Sequence, residues 1–167
     1  LIDSVVCPAV TKEALAMLDR FKGKCRVFVN PALADINRNS LNVAPLRRPV
    51  RGGMLIQPNY TFVLNMQDER LQKLGPATAL SEEMDMLLAW AIGSTSTSNT
   101  ITLVKDGKLI SNGVGQQDRV GACDLAVKRA KEAGHRTNGA SAYSDSFFPF
   151  ADGPGVLGLA GIRSILS

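Results

Sequence analysis

A chain of 167 residues, 45% hydrophobic and 20% charged, has the make-up of a soluble globular protein with one real core or two small ones. Nothing approaches an uninterrupted apolar run of roughly 18 residues, which excludes a membrane-spanning helix. The net charge is +4, but the 19 lysines and arginines are scattered apart from Arg47, Arg48 and Arg51, without the basic stripe and interleaved aromatics of a nucleic-acid binder. The first residues, Leu1 to Pro8, lack a basic leader and a Met start, and the closing apolar run stops abruptly at Ser167, so the sequence reads as cut from something longer. Asp3 to Cys7 reads as a short strand. Thr11 is a good N-cap for a helix over Lys12 to Phe21, with Ala14, Leu15 and Leu18 on one face and Gly23 as its stop. Cys25 to Val29 returns as a strand, and strand, helix, strand implies a parallel crossover.

From Asn30 to Arg51 the pattern dissolves among Pro31, Pro45, Pro49 and several asparagines, the marks of a connecting region. Met54–Gln57 and Thr61–Leu64 are short extended candidates within it. Ser81 is the expected cap of a helix carrying Glu82, Glu83 and Asp85 in its first turn and Met84, Leu87, Leu88 and Ile92 as its buried stripe. Thr100–Val104, the turn Asp106-Gly107 and Leu109–Val114 spell a hairpin. A helix follows from near Asp118 to about Ala133, with Val120, Cys123, Val127 and Ala130 at helical spacing and Gly134 as its stop. Ala142–Ser144 reads as a strand, Phe147–Phe150 as an aromatic loop, Pro154–Ala160 as a small helix and Ile162–Leu166 as a last strand. Three cysteines, Cys7, Cys25 and Cys123, sit singly in apolar stretches, which argues for a reducing compartment and against both a disulfide framework and a zinc site.

Two segments could carry chemistry. Gly113-Val114-Gly115-Gln116-Gln117-Asp118-Arg119 joins a strand to a helix. Its glycines let backbone approach a ligand, the helix start offers N–H donors, and Arg119 adds a planar cation. That set suits a carboxamide, carboxylate or phosphate, and an ordinary strand-to-helix turn would look the same. Ser144-Asp145-Ser146-Phe147-Phe148-Pro149-Phe150-Ala151-Asp152-Gly153 offers an apolar wall with carboxylates at its rim, where a planar heterocycle could stack; a packed corner with Asp152 capping the next helix is the alternative. Asn99 is either an oriented amide or a turn residue. The single histidine, His135, sits past a helix end and leaves no Ser-His-Asp or Cys-His set.

Together these stretches, with Ser98-Asn99, Lys105-Asp106-Gly107, Gly52-Gly53-Met54-Leu55-Ile56-Gln57, Val5-Val6-Cys7-Pro8 and Ala160-Gly161-Ile162, resemble the transformylase half of a bifunctional purine-biosynthesis family whose other half is IMP cyclohydrolase. The resemblance covers about half of the transformylase region. It implies an α/β fold: a cytidine-deaminase-like three-layer α/β/α unit without zinc at 76–167, preceded by the tail of a second such unit at 1–30 and a linker at 31–75. It implies formyl transfer from 10-formyltetrahydrofolate to aminoimidazole carboxamide ribonucleotide (AICAR) by a cytoplasmic homodimer, with no nucleic-acid or membrane partner. Asp3, Asn99, Arg119 and Phe147 match positions that meet AICAR, and Val120, Pro149 and Asp152 match positions lining the folate pocket. Ser98 and Asp145 fall near a monovalent-cation site, which potassium occupies in some members. The family's catalytic Lys-His pair does not occur in this sequence, and Asp118 stands where the family usually has serine. A stand-alone folate- or nucleotide-binding module is the other reading.

Overall fold

In the computed structural model, which describes residues 3–19 and 25–167, β1 (Ser4–Cys7) and β2 (Arg26–Val29) run parallel, in register from Ser4↔Arg26 to Cys7↔Val29. This is the pairing the strand–helix–strand order implies. The helix between them, α1 (Lys12–Leu18), begins at Thr11, whose hydroxyl accepts the Ala14 N–H at 3.1 Å. The Asp19 N–H donates to the Leu15 carbonyl, and the expected continuation to Phe21 lies outside the described residues. The stop expected at Gly23 lies outside the described residues.

The segment read as a connecting region holds structure of its own. Two 3-10 turns, Pro31–Asp35 and Arg38–Ser40, are capped by the side chains of Asn30 and Asn37. Then β3 (Leu46–Val50) and β4 (Gly53–Gln57) form an antiparallel ribbon. Met54–Gln57 is extended as expected, Thr61–Leu64 is not a strand, and β3 is an addition that Pro49 conceals, since proline is rare inside a ladder. The chain divides into compact units at Leu1–Thr61 and Phe62–Ser167.

In the second unit, β5 (Ile101–Lys105) and β6 (Lys108–Gly113) form the expected hairpin. Asp106 and Gly107 take φ of 51° and 70°, the left-handed pair that a two-residue turn requires. β7 (Ser141–Ser144) pairs antiparallel with β5, and β8 (Ser164–Leu166) lies parallel to β7, giving the order β6-β5-β7-β8. α3 (Arg119–Glu132) and α4 (Asp152–Leu159) pack over one face, where Ile101, Leu103 and Ala142 meet Cys123, Ala126, Ala130 and Leu157 in the core. α2 (Leu80–Gly93) lies on the other, so the unit is a mixed α/β structure in three layers.

The α2 face of the sheet is polar: the Thr102 hydroxyl donates to Asn112 Oδ1 at 2.8 Å, and Asn112 Nδ2 donates to the Ser96 hydroxyl at 3.2 Å. This explains two corrections. The buried residues of α2 are Asp85, Met86, Ala89 and Gly93, whereas Met84 is 58% exposed and Leu87, Leu88 and Ile92 are half-buried. Small and polar side chains suit a tight polar face, so the apolar stripe does not mark the contact. Ala79, not Ser81, holds the cap position, and Glu82 Oε2 accepts its N–H at 2.7 Å. Glu82 Oε1 lies 2.5 Å from Arg163 Nε, an ion pair by distance whose angle does not make a hydrogen bond.

Buried Asp85 reaches across to the hairpin, accepting the N–H groups of Asp106 at 2.9 Å and Gly107 at 2.8 Å. Removing it strands two turn donors. Asp85→Ala is therefore expected to cost about 2 kcal/mol, read as a lower urea midpoint with an unchanged slope; an unaltered midpoint contradicts the tie.

Candidate functional site

The strand ends of the second unit build the site. At the exit of β6, the backbones of Asn99 and Gln116 exchange hydrogen bonds of 3.2 and 3.3 Å, and Gly115 N–H donates to Thr97 O at 2.9 Å. The Asn99 side-chain amide donates to the carbonyls of Gln116 at 2.9 Å and Gln117 at 3.1 Å. Asn99 thus fastens the glycine loop in place and keeps only Oδ1 for a ligand. The loop then enters α3 at its N-cap Asp118, whose Oδ1 accepts the Gly121 N–H at 2.6 Å.

Arg119 opens α3 and turns toward the end of β7. Its Nη1 donates to Ser144 Oγ at 3.0 Å and Asp145 Oδ1 at 2.5 Å, and the two charged side chains are only 13% and 12% exposed. Asp145 Oδ1 also accepts the Thr100 N–H at 2.9 Å. Burial alone would raise the Asp145 pKa, but hydrogen bonds from Ser98, Thr100 and Arg119, with the guanidinium charge, hold it below the usual carboxylate value.

These contacts limit what the helix start and Arg119 can offer a carboxamide, carboxylate or phosphate: one N–H is spent on Asp118, and the cation is matched by Asp145. They also bear on the cation candidates. The Asp145 charge is already neutralised by a guanidinium, so Ser98 and Asp145 do not fit a potassium ion as they stand. Among the described residues, no group of three or more histidine, cysteine or carboxylate side chains could hold a metal.

The aromatic wall is divided. Phe147 and Phe150 are 71% and 73% exposed, while Phe148 turns inward onto the core. It fills the space a side chain would need at Gly153, where an added Cβ would lie 2.7 Å from its ring. The wall of three phenylalanines expected from the sequence is thus two exposed rings beside an exposed Pro149. Asp152 does not cap α4; it is the first helical residue, and its Oδ1 accepts the Gly153 N–H at 2.8 Å. Val120 is half-buried in the first turn of α3. Below it, burial pushes the Cys123 thiol up to about 11, with Asp124 adding to the effect, so the thiol is inert at neutral pH. Asp3 is exposed in the first unit, and its carbonyl accepts the Arg26 N–H at 3.0 Å.

Sequence reasoning brought Arg119 and the Ser144–Phe150 segment forward but not their bond, because 26 positions separate Arg119 from Asp145. Ser144 was missed as a partner; alternation along β7 was the one available signal. A cavity of about 460 Å³ between residues 66–78 and β8 contains none of the candidate residues.

The glycine loop and the end of β7 thus meet at Arg119, at one end of the four-stranded sheet. The family model described as AICARFT/IMPCHase bienzyme matches residues 1–129, and the chain belongs to that family. It is 33% identical over 165 residues to the bifunctional purine biosynthesis protein PurH of Neisseria gonorrhoeae (strain NCCP11945). It is 32% identical over 166 residues to those of Anoxybacillus flavithermus and Acetivibrio thermocellus. In each case 99% of this chain is covered and 30% of the relative, so the chain spans about 30% of the length of these relatives. No helix of the described residues is long and apolar enough to cross a membrane.

Proposed function

We propose that this chain supplies part of the site in which a formyl group passes from 10-formyltetrahydrofolate to the amine of AICAR, a step of purine (IMP) biosynthesis. One observation carries the reading: Arg119 bonds Ser144 and Asp145, so the glycine loop and the aromatic loop meet at one end of one sheet. In this reading the second unit is a cytidine-deaminase-like scaffold without zinc, and the first unit is the tail of another. Asn99 Oδ1, the free donors of Arg119 and the exposed Phe147 face AICAR. Val120, Pro149 and Asp152 line the folate side, the free carboxylate oxygen of Asp152 accepting ring N–H groups.

In the transfer, the amine nitrogen attacks the formyl carbon, the bond from that carbon to folate N10 breaks, and the amine proton ends on N10. The products are the formamide and tetrahydrofolate. The step needs a base for the proton and a positive group at the developing oxyanion. No adjacent Lys-His pair exists in the sequence to supply them, so the residues present orient and hold the reactants. The working form is taken to be a cytoplasmic homodimer of the longer protein. The missing pair also favours a second reading, a binding module without chemistry.

Titration calorimetry with AICAR and with a folate, followed by mixing both substrates and monitoring tetrahydrofolate, separates the readings. Saturable binding of both without turnover is the expected result. Absence of heat with either ligand sinks the proposal, and turnover at a rate typical of full-length enzymes refutes the orienting role.

A further inference from the structure

We infer that two copies of this chain associate through the free edge of β4, which pairs antiparallel with β4 of the second copy and extends the β3–β4 ribbon into a four-stranded sheet. The ribbon carries none of the residues assigned above to AICAR or folate, so the inference stands apart from that reading. A lone two-stranded ribbon is marginal in water, and every residue of both strands is exposed here. Among the described residues, no main-chain hydrogen bond joins the ribbon to another element.

Pro49 sets which backbone groups are spare. It pairs with Met54, and having no N–H it takes a position whose main-chain groups point out of the ladder. By alternation, Met54 and Ile56 turn their N–H and C=O groups to the outer edge of β4, and Arg47 and Pro49 turn theirs to the outer edge of β3. The two edges are unlike. β3 lacks a donor at Pro49 and carries Arg47 and Arg48; proline and charge are the usual guards of an edge strand, and like charges repel across a twofold axis. β4 reads Gly53-Met54-Leu55-Ile56-Gln57, with neither guard, and Met54, Leu55 and Ile56 each leave half or more of their surface in water. That edge is also self-complementary. With the axis at Leu55, Met54 of each copy faces Ile56 of the other, and each such pair closes two hydrogen bonds from its outward groups. Leu55 meets Leu55 of the second copy on one face, and Met54 meets Ile56 on the other, so apolar surface is covered on both.

Sedimentation of the chain against concentration tests this. One short strand pairing lies at the weak end of interfaces, so dimer is expected at about 100 μM and monomer at about 1 μM. Met54→Pro removes an outward donor that the ribbon itself does not use, and Leu55→Lys sets like charges face to face on the axis. Both should stay monomeric at the higher concentration while melting as the parent does. Arg47→Pro alters the opposite edge in the same way and should dimerise like the parent. Leu55→Cys supplies a positive signal: Cα atoms of a non-hydrogen-bonded antiparallel pair lie about 4.5 Å apart, within reach of a disulfide. Mild oxidation should then give more covalent dimer than the native cysteines of the parent yield. A parent that is monomeric at the higher concentration, dimerisation that survives both β4 variants, or loss of the dimer in Arg47→Pro overturns the proposal. Saturable AICAR binding by a monomeric chain would leave the earlier reading intact.

Discussion

Asp145→Ala is expected to destabilise the second unit by about 3 kcal/mol, because it leaves a largely buried guanidinium without its counter-charge. In a domain of about 100 residues this is a fall of roughly 15 °C in melting temperature. The Thr100 N–H loses its acceptor as well. Asp145→Asn retains an oxygen for Thr100 and should fall between the two. The same carboxylate shapes the acid limb. Its pKa is lowered by folding, so the unfolded chain binds the proton more readily, and the stabilisation is present above the unfolded value of about 3.9. As pH falls through the folded value that contribution disappears. Melting curves should show the parent losing more stability than Asp145→Asn from about pH 5 downward. Parallel acid limbs in the two proteins, or a variant as stable as the parent at pH 7, would falsify the pairing.

The second large effect is expected at Gly113, the last residue of β6. An added Cβ would sit 2.4 Å from the Ala122 carbonyl oxygen and 2.8 Å from the Ala126 nitrogen. Both obstacles are helix backbone, which cannot turn aside as a side chain can. Gly113→Ala must push α3 away from the sheet, at an expected cost of about 3 kcal/mol. The displacement would also carry Arg119 from Ser144 and Asp145, so ligand binding should fall with stability. Calorimetric melting and AICAR titration of this one variant read both consequences. A variant with parental melting temperature would show that β6 and α3 are not packed backbone to backbone.

Much of the second unit was legible because local chemistry decides it. Asp106-Gly107 between two β-branched runs leaves little but a hairpin, and Cys123, Val127 and Ala130 did mark the inner face of α3. The stripe of α2 misled because the sheet beneath it carries Thr102 and Asn112: where the partner surface is polar, hydrophobic periodicity no longer reports contact. β3 escaped notice because Pro49 breaks the pattern within it. Within the site, Arg119 and Asn99 were identifiable as residues but not as partners. The Arg119–Asp145 bond and the inward turn of Phe148 depend on long-range packing, which spacing along the chain does not encode. Identity came from motifs in order, not from reading contacts ahead of the structure.

The carboxylate that Asp85 extends to the hairpin turn joins groups only 21 and 22 positions apart. Closing so short a loop is entropically cheap, so α2 and the β5–β6 hairpin can assemble early, before the strands that follow β6 arrive. The turn is then secured by a helix that precedes it in the chain, which gives the second unit a nucleus lying within its first half. In kinetic terms Asp85→Ala should appear as slower refolding with little change in the unfolding rate, the signature of an interaction already made at the barrier.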